Sequence, residues 1–167
     1  THLNLPFTGD EEFAKLHAAI RLLLPLLPVL CASSPLLDSK LTGMLDSRLH
    51  YYKANQAKIP SITGLVIPEA VFSYDDYKRQ IYSKIEKDLL EFNQENILDP
   101  VWVNSRGAIA RFDRGSIEIR IMDIQECPAA DLAIVNTVVQ LLKALVEEKF
   151  CSLNDQMKME TEMLSDM

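Results

Sequence analysis

The chain has 167 residues, 48% hydrophobic and 25% charged, with a formal net charge of −7. That length and composition describe one domain, or most of one, with a real core, and speak against a disordered segment. The negative balance speaks against non-specific attachment to nucleic acid or to an anionic membrane, because both attract basic surfaces.

Residues 2–7, His-Leu-Asn-Leu-Pro-Phe, alternate as a short strand does. Leu3, Leu5 and Phe7 share one face and His2 and Asn4 the other, with Pro6 marking an edge or a strand end. "TGDEEF" then supplies a helix start, with Thr8 or Asp10 as cap, and the helix is expected to run to about residue 32. Its run "IRLLLPLLPVLCASS" (20–34) resembles a secretory apolar segment, but Asp10, Glu11 and Glu12 upstream carry the wrong charge. It also falls short of the roughly 20 apolar residues that a bilayer span needs. The reading is a buried helix kinked at Pro25 or Pro28.

Residues 33–68 hold Pro, Gly, Ser and Asn at close intervals and show little periodicity. We read them as an irregular loop on the substrate side, since so long a structureless stretch is usually functional. Residues 73–92 predict an amphipathic helix with Tyr77, Ile81, Ile85 and Leu89 at four-residue steps. "VWVNSRGAIARF" (101–112) reads as two short strands around Arg106-Gly107, and "DRGSIEIRIMD" (113–123) as a third. Residues 127–150 predict a helix with Pro128 in its first turn. The expected division is one main portion over 1–150 and a Met-rich helix or mobile tail over 151–167. Cys31, Cys127 and Cys151 show neither disulfide nor metal spacing and read as reduced thiols of a cytoplasmic protein. The chain opens in mid-pattern without a Met and is expected to be part of something larger.

The expected fold class is α+β: an antiparallel sheet with helices packed on one face. The other face carries specific polar groups: His2 and Asn4; Trp102, Asn104 and Arg106; Arg111; Ser116, Glu118 and Arg120. No Lys falls between residues 88 and 142. Guanidinium forks bind carboxylate and phosphate oxygens in bidentate fashion, which an ammonium cannot do. A His with a Glu is a partial ligand set for a divalent cation whose shell is completed by water and phosphate oxygens. These are the parts that phosphoryl transfer needs, although a charged strand face often does no more than meet water. No Gly-rich phosphate loop is present. Arg48 lies in "TGMLDSR", which reads as a loop shaped around a ligand, while His17 and His50 carry no assignment.

"HLN", "ASSP", "TGMLDSR", "NSRGAIARF" and "SIEIRIMD" follow one another in that order. This order resembles the bacterial second-type glutamate–cysteine ligases, also called carboxylate–amine ligases, of the glutamine synthetase superfamily. The resemblance covers about residues 1–148 and implies the C-terminal part of a glutamine-synthetase-like catalytic domain. It implies an ATP-dependent carbon–nitrogen ligase that joins a glutamate-like acid to an amine such as cysteine through an acyl phosphate. By that resemblance His2 and Glu118 would hold Mg2+ or Mn2+, and Arg106 and Arg111 would neutralise the phosphoryl group of ATP. Arg48 and Arg120 would hold the carboxylate substrate. The chain has Asn4 where the family usually has a second His, and it lacks the family's Glu-x-Glu strand. The alternative is a non-catalytic relative that binds a carboxylate or a partner protein through the same Arg-lined face. A guanidino kinase would need a reactive Cys in a mobile loop, a place that neither Cys31 nor Cys127 fills. Self-association through open strand edges is also expected.

Overall fold

In the computed structural model, which describes residues 1–167, the alternating stretch near the start is strand β1 (Leu3–Pro6). Helix α1 (Gly9–Leu23) follows, with Asp10, Glu11 and Glu12 at the positive end of its dipole. Pro25 breaks the helical ladder, so Leu24–Leu26 tighten into a 3-10 turn before the helix resumes as α2 (Leu27–Cys31). The expected kink therefore falls at Pro25. The helical stretch Gly9–Cys31 spans 23 residues, longer than the apolar run alone suggested, and half of its most apolar window is buried inside the protein.

Residues 33–68 are not the structureless loop expected. Asp38 and Ser39, both at positive φ, form a two-residue turn between β2 (Leu36–Leu37) and β3 (Lys40–Leu41). Such turns match the right-handed twist of the strands that they join. Asp46 then caps α3 (Ser47–Ala54), accepting from the Leu49 N–H at 2.7 Å. Neither element has a strong sequence signature: Asp-Ser lacks the glycine of the usual hairpin turn, and α3 buries only Ser47.

The four-residue stripe of Tyr77, Ile81, Ile85 and Leu89 is fully buried. It runs through α4 (Tyr74–Tyr77), a π turn (Lys78–Tyr82) and α5 (Ser83–Leu89). Residues 100–103 are a helix, α6 (Pro100–Val103), and not the expected strand. Asp99 caps it by accepting from the Val101 N–H at 2.8 Å, and Pro100 suits the first helical position. The chain continues through β4 (Ala108–Arg111), β5 (Ser116–Ile119), α7 (Pro128–Val146), α8 (Leu153–Lys158) and α9 (Thr161–Ser165).

The sheet is antiparallel in the order β1-β5-β4. Leu3 and Ala108 flank Ile119, and Leu5 and Ala110 flank Ile117, so one face is apolar. That face shares a single core with Phe13 and Ile20 of α1, Ile85 of α5 and Val138 and Leu142 of α7. This is the α+β arrangement expected. Leu164 of α9 joins the same core. Arg21, fully buried on α1, ties the end of the chain down through the Pro68 and Met159 carbonyls, each at 2.9 Å, and Thr161 Oγ1 at 3.1 Å.

The two sheet edges differ. Tyr77 Oη accepts from the Ala110 N–H at 3.2 Å, and Tyr82 Oη donates to the Ala110 carbonyl at 3.0 Å, closing the outer edge of β4. The π turn places these tyrosines, five residues apart, side by side with ring centroids 5.0 Å apart.

Candidate functional site

On the outward face the register sets Asn4 and Ile109 on either side of Glu118. Glu118 is on the central strand, with its side chain 17% exposed. His2, just before β1, brings Nδ1 to 2.9 Å from Glu118 Oε1, and Arg120 Nε stands 3.4 Å from the same oxygen. Burial pushes the His2 imidazole below its ordinary value, and Arg120 pushes the same way while Glu118 pulls it up. The imidazole is thus held toward its neutral form, the form in which histidine ligates metals. The pair provides two donors, one nitrogen and one carboxylate, and no three His, Cys, Asp or Glu side chains converge anywhere. The carboxylate suits a hard cation such as Mg2+, which keeps several waters, whereas an imidazole is the donor that softer transition metals prefer.

Arg48 reaches the site from the first turn of α3. Its Nη2 donates to the Arg120 carbonyl at 2.8 Å, and its guanidinium lies 5.9 Å from the Tyr52 ring. Arg48 Nη1 stands 3.6 Å from Asp123 Oδ1, too far for a hydrogen bond. Arg48 Nη1, Arg120 Nε and Asp123 Oδ1 are all sealed from solvent with no hydrogen-bond partner. Unmet buried donors of this kind are costly unless a ligand supplies the acceptor.

Arg111 also lies on the outward face, opposite Ser116 in the register. It donates to both carboxylate oxygens of Asp113, at 3.2 and 3.3 Å, and stacks 4.5 Å from the exposed Trp102 ring. The bonds to Asp113 raise its already high pKa, with Glu118 contributing in the same direction.

Arg106 is the exception. It follows the helical turn of α6 and turns away from the outward face, fully buried. Glu69 receives it bidentately, both bonds at 2.6 Å, and Nη1 also donates to the Ser61 carbonyl and Asn104 Oδ1. Gly64 covers the guanidinium at φ +58°, where a Cβ would come within 3.2 Å of Nη2. Asn104, expected on the polar face, is likewise buried and donates to Tyr77 Oη. Arg106, expected to face a phosphoryl group with Arg111, is thus paired with Glu69 inside the fold and does not stand beside Arg111. The reason is the unforeseen helix α6, which breaks the strand alternation that the reading relied on.

Two contributors were not foreseen. Asp123 Oδ2 accepts from the Ser33 N–H at 3.0 Å and Ser34 Oγ at 2.6 Å, fixing the "ASSP" turn against the end of the sheet. Tyr52 Oη donates to the Ser105 carbonyl at 2.7 Å, and burial pushes its pKa up while the nearby Arg120 and Arg48 pull it down. Asp123 lies beyond β5, and Tyr52 lies on a helix without an apolar stripe, so no periodicity marked either one.

Comparison with known proteins agrees with this architecture. Over 146 residues the chain is 39% identical to an uncharacterized protein of Archaeoglobus fulgidus, covering 87% of this chain and 39% of that protein. The chain thus spans about two fifths of that relative's length. No solved structure matches it. The family model described as glutamate-cysteine ligase family 2 matches residues 1–166, nearly the whole chain. By that match the chain belongs to glutamate–cysteine ligase family 2.

Proposed function

We propose that the chain carries part of the site of an ATP-dependent carboxylate–amine ligase. The observation that carries this reading is the Glu118 carboxylate at the centre of the sheet, with His2 at 2.9 Å and Arg120 at 3.4 Å from one oxygen. In the reaction, a substrate carboxylate takes the γ-phosphoryl group of ATP, giving an acyl phosphate and ADP. The amine then attacks the acyl carbon, phosphate leaves with the C–O bonding pair, and the amine loses a proton. No protein nucleophile is needed, so the protein's contribution is position and charge.

His2 and Glu118 would hold a divalent cation, Mg2+ or Mn2+, which when bound offsets phosphate charge. Arg111, braced by Asp113 and Trp102, presents a cation to the same face. Arg48, beside Asp123 at 3.6 Å, and Arg120, beside Glu118 at 3.4 Å, are the guanidiniums that would hold a substrate carboxylate. Glutamate and cysteine are the substrates suggested by the family's description, and the free thiols of Cys31, Cys127 and Cys151 suit a reducing cytoplasm.

The test is ATP-dependent phosphate release by the complete gene product with glutamate and a panel of amines, cysteine included. Release that requires both acid and amine, and that Glu118→Ala abolishes without unfolding the protein, is the expected result. Release indifferent to Glu118→Ala overturns the proposal. The 167-residue chain alone is expected to bind Mg-ATP weakly, since it offers two donors to the cation. Sub-micromolar binding in calorimetry would contradict that.

A further inference from the structure

Trp102 stands in α6, the short helix that Asp99 caps, and is 64% exposed. A single exposed apolar residue is ordinary on a protein surface and by itself needs no explanation. This one is held in place, and held beside the site. Arg111 lies 4.5 Å from its ring and Arg114 5.9 Å, and Asp113 fixes Arg111 through bonds of 3.2 and 3.3 Å. A cation within about 6 Å of an indole ring is attracted by the ring's quadrupole. The Arg111 side chain is 6% exposed, so the ring is packed on that side. The Arg114 side chain is 63% exposed and leaves the rest of the ring open to solvent.

The sheet register relates this ring to Glu118. Arg111 is opposite Ser116 and Glu118 is opposite Ile109, so Arg111 and Glu118 are diagonal neighbours on the outward face. Such neighbours stand about 7–8 Å apart on adjacent strands. Their charges act on one another, since Glu118 adds to the upward push on the Arg111 pKa. Glu118, Arg111 and Trp102 thus form a row: a carboxylate paired with His2, a buried guanidinium, and an open aromatic ring. A nucleoside triphosphate carries its groups in a matching order. Its terminal phosphate travels with a divalent cation, the inner phosphates and ribose follow, and a flat base ends the molecule. Stacking on an aromatic side chain is a recurrent source of affinity for a base, because every base has a π face. Arg111 and Asp113 hold the ring before any ligand arrives, so little ordering cost is left for binding.

We propose that Trp102 is the platform on which the base of the nucleotide stacks, with Arg111 as its brace. The proposal rests on the ligase reading for the presence of a nucleotide, and it adds the residue that engages the base.

Calorimetry in Mg2+ on the complete gene product, with ATP and inorganic tripolyphosphate as probes and neither acid nor amine present, tests this without turnover. Tripolyphosphate keeps the phosphate chain and lacks the base. Trp102→Ala is expected to weaken ATP at least fivefold and tripolyphosphate less than twofold. Trp102→Phe, which keeps a ring, is expected to restore ATP to within threefold of wild type. Unchanged ATP affinity in Trp102→Ala overturns the proposal, as does failure of Trp102→Phe to restore it or failure of the wild type to bind ATP. An equal loss of both probes overturns it too, because Trp102 would then serve only to hold Arg111. The ligase reading is judged separately, by the dependence of phosphate release on Glu118, and it stands if that dependence is seen while ATP affinity ignores Trp102.

Discussion

Glu118 and Arg106 are both charged residues drawn from strand-like sequence, and they do opposite jobs. Glu118 stands on the outward face outside the apolar core, with its side chain 17% exposed, so Glu118→Ala should leave the fold intact and abolish turnover. Arg120→Lys should also fail, because a point charge cannot supply the fork geometry. Its loss should appear chiefly as raised KM, at roughly 1.5–3 kcal/mol per charged hydrogen bond. If the face is merely solvated, both changes stay within about 0.5 kcal/mol of wild-type stability, with normal activity. Steady-state kinetics and a melting curve separate the two outcomes. Arg106→Met should instead act on stability, because it strands the Glu69 carboxylate against the Ser61–Gly64 turn. Removing one partner of a buried pair costs about 3–5 kcal/mol, and the 30% exposure of Glu69 puts this case at the low end. Chemical denaturation should show that loss. At this scale the sequence made the β1 and β5 residues legible because their alternation is unbroken. It misled at Arg106 because Asp99-Pro100 starts a helix immediately upstream.

Elements with a buried stripe were readable, and elements defined by a turn or a cap were not. Residues 73–92 have a four-residue stripe, and residues 2–7 and 116–121 alternate, so hydrophobic burial dictates both. The β2–β3 hairpin and α3 bury little, and they form from local backbone preferences and the Asp46 cap. The π turn was beyond any periodic reading, because Tyr77, Ile81 and Ile85 hide it in an ordinary four-residue pattern. Its consequence is testable. Tyr82→Phe removes the donor to the Ala110 carbonyl and nothing else of size, so about 1 kcal/mol of stability should be lost. Hydrogen exchange at the β4 amides should rise only as far as overall stability falls, since the Ala110 N–H keeps its bond to Tyr77 Oη. An unchanged denaturation midpoint would mean that the tyrosine hydroxyl is not what closes that edge.

The whole molecule is built on α1, and α1 carries a histidine in its driest part. His17 is fully buried, stacked on Phe13 with centroids 5.0 Å apart and flanked by Phe72 and Tyr77. Neither ring nitrogen makes a well-formed hydrogen bond, the nearest polar group being the Val71 backbone. Desolvation, reinforced by the buried Arg21 one turn away, pushes its pKa down to about 3, and the Val71 backbone opposes this only weakly. The imidazole is therefore neutral in the folded protein and free to protonate near 6.5 in the unfolded chain. The unfolded state binds more protons throughout the interval between those values, so stability rises with pH there. The contribution is fully present above pH 6.5 and is lost as pH falls toward about 3. The slope is about 1.4 kcal/mol per pH unit, until the buried ring itself titrates. His17→Leu keeps an apolar side chain of similar size in that place and removes the proton site. Its stability relative to wild type should be flat above pH 7 and should climb steadily in its favour between pH 6 and 4. Subtracting the two proteins' denaturation curves at each pH cancels the carboxylates that they share. A difference independent of pH across that interval would show that His17 is solvated or paired, and that the core of α1 is wetter than its burial indicates.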